Sequence, residues 1–167
     1  GNSSGECNVT NCYSTGAILG EDSGGICGAY AGYEGTCNVK NCYSTGEISG
    51  QKAGGICGQN AGYYSGICNV TNCYSTGAIS ALQSGGICGA QAGYYNGICN
   101  VINCYSDGAI SNNGQGIFGS ISSNNTTVDA SYCYIANGTW NDDTAKTILQ
   151  QVQDISTITE SIEPNTI

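Results

Sequence analysis

The sequence predicts an all-β protein: a β-solenoid of about 30-residue repeats, with four to five rungs and a C-terminal cap. Three observations carry this prediction. The cysteines recur in steps of about 30 residues. The segment "CNVTNCYSTGAI", which begins at Cys7, returns at Cys37, Cys68 and Cys99 with few changes, and glycine pairs punctuate the copies. A fixed period of this size is typical of stacked repeats in which each unit covers the next.

Glycine decides between helical and β repeats. The pairs Gly24-Gly25, Gly54-Gly55 and Gly85-Gly86 combine with recurring Ala-Gly-Tyr and Ser-Thr-Gly segments. They leave no uninterrupted window in which a helix of about three turns could form. Short segments such as "GGICG", "CNVTNC" and "YSTGAIS" instead fit strands bounded by turns.

Differences between copies indicate which side chains face solvent. The residue after Val9 becomes Lys40 in the second copy, so we expect this column outside. Its alternating neighbours Cys7 and Val9 then point inward. Further along, Ala17 is replaced by Glu47, so this second column is also expected outside.

If both columns point outward, the alternation of inward and outward side chains along the strand must be interrupted between them. The second column places Cys12, Ser14 and Ile18 inside, which is the opposite parity from that of Val9. A corner or bulge near Asn11 and its equivalents resolves the conflict. Asparagine suits such a site because it tolerates left-handed backbone and can hydrogen-bond to the Asn one rung away.

The twelve cysteines form three columns, which we expect to fill the core. The columns are Cys7, Cys37, Cys68 and Cys99; Cys12, Cys42, Cys73, Cys104 and Cys133; and Cys27, Cys57 and Cys88. In the last copy, Phe118 takes the place of cysteine in the third column and Val128 takes its place in the first. Such replacements are expected if the cysteines only fill space in the core. The joint replacement indicates that these two columns are partners.

The oxidation state of the cysteines has two readings from the sequence. So many cysteines are most common in an oxidising, extracellular setting, so some disulfides are expected. However, three cysteines per unit is an odd number, so pairing cannot be complete inside each rung, and core thiols are the alternative. A metal site is not expected, because His is absent and no Cys-x-x-Cys occurs.

Two further columns are predicted to form an exposed ladder. They are Tyr13, Tyr43, Tyr74 and Tyr105, which Tyr134 continues, and Thr15, Thr45 and Thr76, which Asp107 continues. Such ladders can simply stabilise the sheet through cross-strand pairs. The alternatives are a flat face for lateral contact and a hydroxyl array able to order water, as in ice-binding solenoids.

Charge excludes several classes of function. Three lysines, no arginine and twelve acidic residues give a formal net charge of −9. Nucleic-acid binding depends on clustered Lys and Arg, so it is not expected, and an anionic membrane surface is disfavoured for the same reason. No apolar run approaches the ~20 residues of a transmembrane helix. Without His or Arg, none of the usual catalytic constellations assembles, so neither an enzyme nor a cofactor is expected.

The repeat predicts two regions: residues 1–140 as cysteine-rich solenoid and residues 141–167 as a C-terminal cap or tail. Solenoids need atypical terminal units, and the scattered Ile, Leu and Val after Trp140 suit such a unit. The chain opens inside a repeat at Gly1, so we expect an unfinished rung with an open strand edge there.

The segment "GGICGAYAGYEGTCNVKNCYSTGEISG" resembles the GLUG-type repeat over a stretch from roughly Gly5 to Trp140. Cysteine stands where aliphatic residues are usual in that pattern. The resemblance implies a β-solenoid of the kind found in secreted and surface-anchored microbial proteins, including adhesin-like ones, and in repeat proteins of large DNA viruses. It carries no catalytic residue.

These observations predict a non-catalytic structural subunit of a fibre, filament or shaft on an extracellular, cell or virion surface. The expected partners are further copies of the chain or other surface and structural proteins. The alternative is a surface module: an adhesin that recognises glycan or protein through tyrosine and asparagine columns, or an ice-binding face built on the threonine column.

Overall fold

The computed structural model describes residues 5–111, 114–121 and 126–135. In these residues the regular structure consists of strands and isolated β-bridges, and no helix occurs. No segment of the described chain could therefore cross a membrane as a helix. The predicted cap, residues 141–167, lies outside the described residues, as does the boundary near residue 140.

The largest sheet is built from five parallel strands of five residues each. They are β1 (Glu6–Thr10), β3 (Thr36–Lys40), β5 (Ile67–Thr71), β8 (Ile98–Ile102) and β11 (Thr127–Ser131). Their spatial order follows the chain, and the register places Cys37 opposite both Cys7 and Cys68. Five strands in this order correspond to four turns of a coil, so the predicted all-β solenoid is confirmed.

Two further sets of contacts close each coil. The short strands β2 (Tyr13–Ser14), β4 (Tyr43–Ser44), β6 (Tyr74–Ser75), β9 (Tyr105–Ser106) and β12 (Tyr134–Ile135) form a second parallel sheet. The strands β7 (Ser84–Gly85) and β10 (Gly114–Gln115) pair on another face. Single β-bridges extend this face by joining Cys27 to Cys57 and Cys57 to Cys88. At ~4.8 Å per turn, the four turns make a rod roughly 20 Å tall.

The corner predicted at asparagine is present in successive coils. Asn11, Asn41, Asn72 and Asn103 have φ values of 56°, 53°, 52° and 52°. The left-handed residue reverses the alternation, so Val39 before the corner and Cys42 after it are both buried. The corner asparagines also pair between coils: the Asn41 amide donates to the Asn11 side-chain oxygen at 3.2 Å, and the Asn72 amide donates to that of Asn41 at 3.3 Å.

The core is a narrow column of small and branched side chains. Ile48, Ile56, Ile79 and Ile87 are fully buried, and the cysteines fill the space beside Val39, Val70 and Val101. Each buried Val or Ile contributes about 1.5–3 kcal/mol relative to exposure. The positions of Phe118 and Val128 agree with the sequence, because Phe118 bridges to Cys88 and Val128 lies opposite Cys99.

Glycine pairs mark places where neighbouring coils approach closely. A Cβ atom on Gly55 would overlap the Gly86 carbonyl oxygen of the next coil and would lie 2.6 Å from the Ser75 Cβ atom. Ser75 is itself fully buried. Coil spacing therefore requires glycine at this position.

We predict that Gly55→Ala destabilises the fold by about 1–3 kcal/mol or more, because the added methyl group meets backbone atoms that cannot move without separating two coils. Guanidinium unfolding followed by circular dichroism measures the change. Gly28→Ala is the matched control, since a Cβ atom at Gly28 meets nothing within 4 Å. Equal stability of the two variants would contradict the proposed close packing.

Candidate functional site

The first and third cysteine columns face each other inside the solenoid, as the joint replacement by Phe118 and Val128 indicated. The sulfur atoms of Cys57 and Cys68 lie 3.9 Å apart, and those of Cys88 and Cys99 lie 3.8 Å apart. A disulfide requires about 2.05 Å. All twelve cysteines are free thiols, so the expectation of disulfides is not met and the core-thiol reading describes the structure.

The second cysteine column secures the asparagine corner. The Cys73 thiol donates to the carbonyl oxygen of Thr71 at 3.3 Å, across Asn72. Its sulfur also accepts the backbone N–H of Cys42 from the neighbouring coil at 3.4 Å. Cysteine thus supplies both a small apolar volume and a weak donor and acceptor, which explains why two cysteines flank each corner.

Burial and hydrogen bonds between thiols shift the pKa values of the buried cysteines in both directions: hydrogen bonds with the Cys104 and Cys42 thiols lower the pKa of Cys73 to about 5. Burial raises the pKa of the Cys104 thiol well above its ordinary value, and hydrogen bonds with the Cys133 and Cys73 thiols act in the same direction. The pKa of Cys57 is also raised, by hydrogen bonds with neighbouring thiols and by burial. Because the thiolate is the nucleophile and metal ligand, these two groups are poor candidates for either role. The described residues contain no group of three or more Cys, Asp or Glu placed to hold a metal ion.

The threonine column lies on the surface, as predicted. Thr15, Thr45 and Thr76 are exposed, and backbone hydrogen bonds set them one coil apart: Thr45 donates to Ser14 at 3.0 Å. Asp107 continues the column and is also exposed. The parallel column that begins at Ala17 is exposed as well, so this face is regular and mostly uncharged.

The tyrosine column requires a correction. Tyr13 is 60% exposed, but Tyr43 is half-buried, and Tyr74 and Tyr105 are only 5% and 6% exposed. The rings stack almost parallel, with centroids 4.9 Å apart between Tyr43 and Tyr74 and 5.0 Å apart between Tyr74 and Tyr105. Because each ring covers the face of the next, the column is a packed stack and most of it does not form an exposed ladder.

A second tyrosine cluster, on another corner of the coil, was missed from the sequence. Its members are Tyr30, Tyr33, Tyr63, Tyr64, Tyr94 and Tyr95, and we call it the lateral tyrosine cluster. The signal was the recurring Gly-Tyr at residues 32–33, 62–63 and 93–94, which had been read only as turn punctuation. Three of the rings, those of Tyr30, Tyr64 and Tyr95, are 46% to 49% exposed.

The lateral tyrosine cluster has an inner and an outer layer. Tyr33, Tyr63 and Tyr94 form the half-buried inner layer, with Tyr33 and Tyr63 stacked at 5.6 Å and 16°. The outer rings lean on this layer: Tyr95 lies edge-on to Tyr94, with centroids 4.6 Å apart. The inner rings therefore fix the positions of the outer ones.

The exposed rings stand on unusual backbone. Tyr30, Tyr64 and Tyr95 have φ values of 61°, 54° and 55°, in the left-handed region that Gly and Asn adopt most easily. Each bulky residue there costs on the order of 1 kcal/mol or more. Glu34, the equivalent of Tyr64 in the preceding coil, and Asn60, the equivalent of Tyr30 in the next coil, have the same backbone conformation. The coil geometry therefore imposes this backbone.

A cleft of about 540 Å³ lies next to the lateral tyrosine cluster. Glu34, which occupies the position of Tyr64 in the preceding coil, lines this cleft. Glu6, Thr36 and Ser65 also line it, so its wall offers carboxylates and hydroxyl groups. The Glu6 carboxylate accepts hydrogen bonds from the Asn8 amide at 3.1 Å and from the Asn38 amide at 3.4 Å.

The thiol state leads to a prediction. With a disulfide-exchange reagent such as DTNB, we expect Cys12, which is exposed, to react first, while the raised pKa and burial of Cys57 and Cys104 leave little accessible thiolate. Cys12→Ser should remove the fastest phase, whereas Cys42→Ser, in the same column but buried, should leave it. Twelve thiols should titrate after unfolding without reductant.

Uniformly fast reaction of all the thiols in the folded protein would contradict the buried columns. A titre below twelve in the unfolded, unreduced protein would reveal disulfides.

Comparison with known proteins supports the repeat assignment. Residues 50–80 match a family model described as the GLUG motif. Neither the curated proteins nor the solved structures include a match to the chain. The matched segment covers one repeat, and the same columns recur in register in the coils on either side of it. Residues 50–80 are therefore similar to the GLUG motif, and they form one coil of a β-solenoid whose other coils repeat the same columns.

Proposed function

We propose that the chain is a non-catalytic structural rod: a segment of a shaft, filament or coat on an extracellular, cell or virion surface. The observation that carries this proposal is the in-register stacking of five strands, in which each coil presents the same pairing groups to the next. Adding coils lengthens such a rod without changing its cross-section. A length set by repeat number is the property that a shaft or filament requires.

Side-chain ladders support a mechanical role, because they tie neighbouring coils together outside the backbone pairing. The amides of Asn38, Asn69 and Asn100 each donate to the Asn of the preceding coil at 2.9 Å. On the next face the stacked tyrosines Tyr43 and Tyr74 join the same coils. Bending or separating two coils would break these contacts together with the backbone bonds.

The free thiols are compatible with an external location. Most of the cysteines are buried in the core, and only Cys12 is exposed. A tightly packed interior limits access of oxidants to the sulfur atoms. An oxidising environment therefore does not have to convert these thiols to disulfides.

Assembly would use the edge of the main sheet. β1 pairs with β3 on one side only among the described strands. Thr36 of β3 donates to the Gly5 carbonyl, and Asn11 donates to Lys40, so alternation directs the N–H of Asn8 away from β3. An outward row of N–H and C=O groups can pair with a strand of another copy.

We expect negative-stain electron microscopy to reveal fibres, and we expect reductant to leave them intact, because hydrogen bonds and not disulfides join the copies. Asn8→Pro removes the outward N–H and should give short single rods. Asn8→Ala is the control: it removes the same side chain, keeps the N–H, and should still give fibres.

Single rods from the unmodified protein would argue against the filament role. Fibres from Asn8→Pro would retain that role and reject pairing through β1.

Ice binding is a second candidate function, supported by the exposed, evenly spaced Thr15, Thr45 and Thr76. A flat hydroxyl array could order water, and a long charged side chain in its centre should disrupt that order. We expect Thr45→Lys to abolish thermal hysteresis and Gln51→Lys, an equal change of charge at another exposed site, to preserve it. Absence of thermal hysteresis in the unmodified protein would remove this candidate.

A further inference from the structure

We propose that the lateral tyrosine cluster and the adjoining cleft bind neutral polysaccharide chains. This inference does not depend on fibre formation, because the cluster lies along the side of the rod and is complete within one chain. It also relocates the glycan contact predicted from the sequence, since Tyr74 and Tyr105 of the other column have their ring faces covered.

The rings are arranged as a supported platform. The outer rings of Tyr64 and Tyr95 are about half exposed, while Tyr63 and Tyr94 pack behind them. Flat aromatic faces with a polar edge suit the apolar face and the hydroxyl rim of a sugar ring. Because the inner rings hold the outer ones, little side-chain freedom is lost when a ligand docks.

The backbone supplies an independent argument. Tyr64 and Tyr95 occupy left-handed positions where Asn or Gly would be less strained. Nothing in the coil requires tyrosine there, because Glu34 occupies the equivalent position in the preceding coil with the same backbone. The coil imposes the left-handed backbone, but it does not require a bulky residue there, and residues held in such strained conformations cluster at binding surfaces.

The geometry favours a ligand that itself repeats. The outer position recurs once per coil, so the rings of Tyr64 and Tyr95 form a strip parallel to the rod axis, with their centroids 6.3 Å apart. The cleft continues this strip with the carboxylate of Glu34 and the hydroxyl group of Ser65, which can hydrogen-bond sugar hydroxyl groups. A polymer of identical rings can use every step of the strip.

The negative charge of the chain limits the class of ligand that the cluster can bind. With a net charge of −9 and Glu6 and Glu34 at the cleft, a polyanion such as an acidic polysaccharide or nucleic acid would be repelled. The core of a protein–protein interface is depleted in charged residues, so the carboxylates of Glu6 and Glu34 disfavour a protein partner. A neutral polysaccharide fits both conditions.

Affinity electrophoresis in native gels tests the proposal, since the acidic chain migrates toward the anode. The probes are hydroxyethyl cellulose, galactomannan and dextran, with alginate as the polyanion. We expect at least one neutral polymer to retard the protein and alginate not to retard it. The double variant Tyr64→Asn, Tyr95→Asn should raise the Kd by roughly tenfold or more, because two ring contacts are lost.

Two features make this experiment selective. Asn tolerates the left-handed backbone, so the double variant should keep or increase thermal stability. Tyr132→Asn is the matched control: Tyr132 is 46% exposed, has φ 55° and occupies a corner position that Asn holds in the other coils. It should be retarded like the unmodified protein.

Three results would overturn the proposal: no retardation of the unmodified protein by any neutral polymer, equal retardation of the double variant, or equal loss in Tyr132→Asn. A protein or other ligand at the cluster would give the first result.

Discussion

Every other feature of this molecule depends on in-register parallel pairing between successive coils. Once Cys37 lies opposite Cys7 and Cys68, each residue of the repeat must lie over its own equivalent. A side chain that packs well in one coil then packs against copies of itself. This requirement favours residues that pack well against an identical residue ~4.8 Å away. An Asn amide can both donate and accept a hydrogen bond, Tyr rings can stack, and the Cys side chain is small. It explains a composition so unlike that of most globular domains.

The same pairing limits the interior volume. Gly55 leaves no room for a Cβ atom against the Gly86 carbonyl, so the coil cannot widen at that face. The remaining space is filled by sulfur and branched aliphatic groups, with sulfur atoms 3.8 to 3.9 Å apart across the core. At that distance the thiols make van der Waals contacts and weak hydrogen bonds with one another. The cysteines therefore contribute as apolar fillers whose thiols also hydrogen-bond at the corner, and the solenoid does not need cross-links to close.

Sequence reasoning succeeded where one copy of the repeat differed from another. Lys40 and Glu47 revealed the outer columns, and their conflict located the corner at Asn41 with its left-handed backbone. It failed where the copies were identical, because unbroken columns such as Tyr43 and Tyr74 give no contrast between an exposed ladder and a packed stack. The oxidation state depends on sulfur geometry, which the spacing of cysteines does not specify. The lateral tyrosine cluster was missed because Gly-Tyr was counted as a turn signal, while in a solenoid turns stack as regularly as strands.

The stacking of turns separates the scaffold from the surface it carries. Residues such as Val39 and Cys42 are fixed by the core, whereas position 34 and its equivalents accept glutamate or tyrosine on the same backbone. The backbone conformation there is held by hydrogen bonds between coils, with Tyr64 donating to Tyr94 at 3.0 Å. The pairing that makes the rod stiff also stabilises a strained left-handed turn in each coil. A side chain on such a turn is aimed outward and held in place without contributing to the core. The solenoid can therefore vary its outer surface without disturbing its interior, so the shaft and the binding face that we propose place separate demands on the sequence.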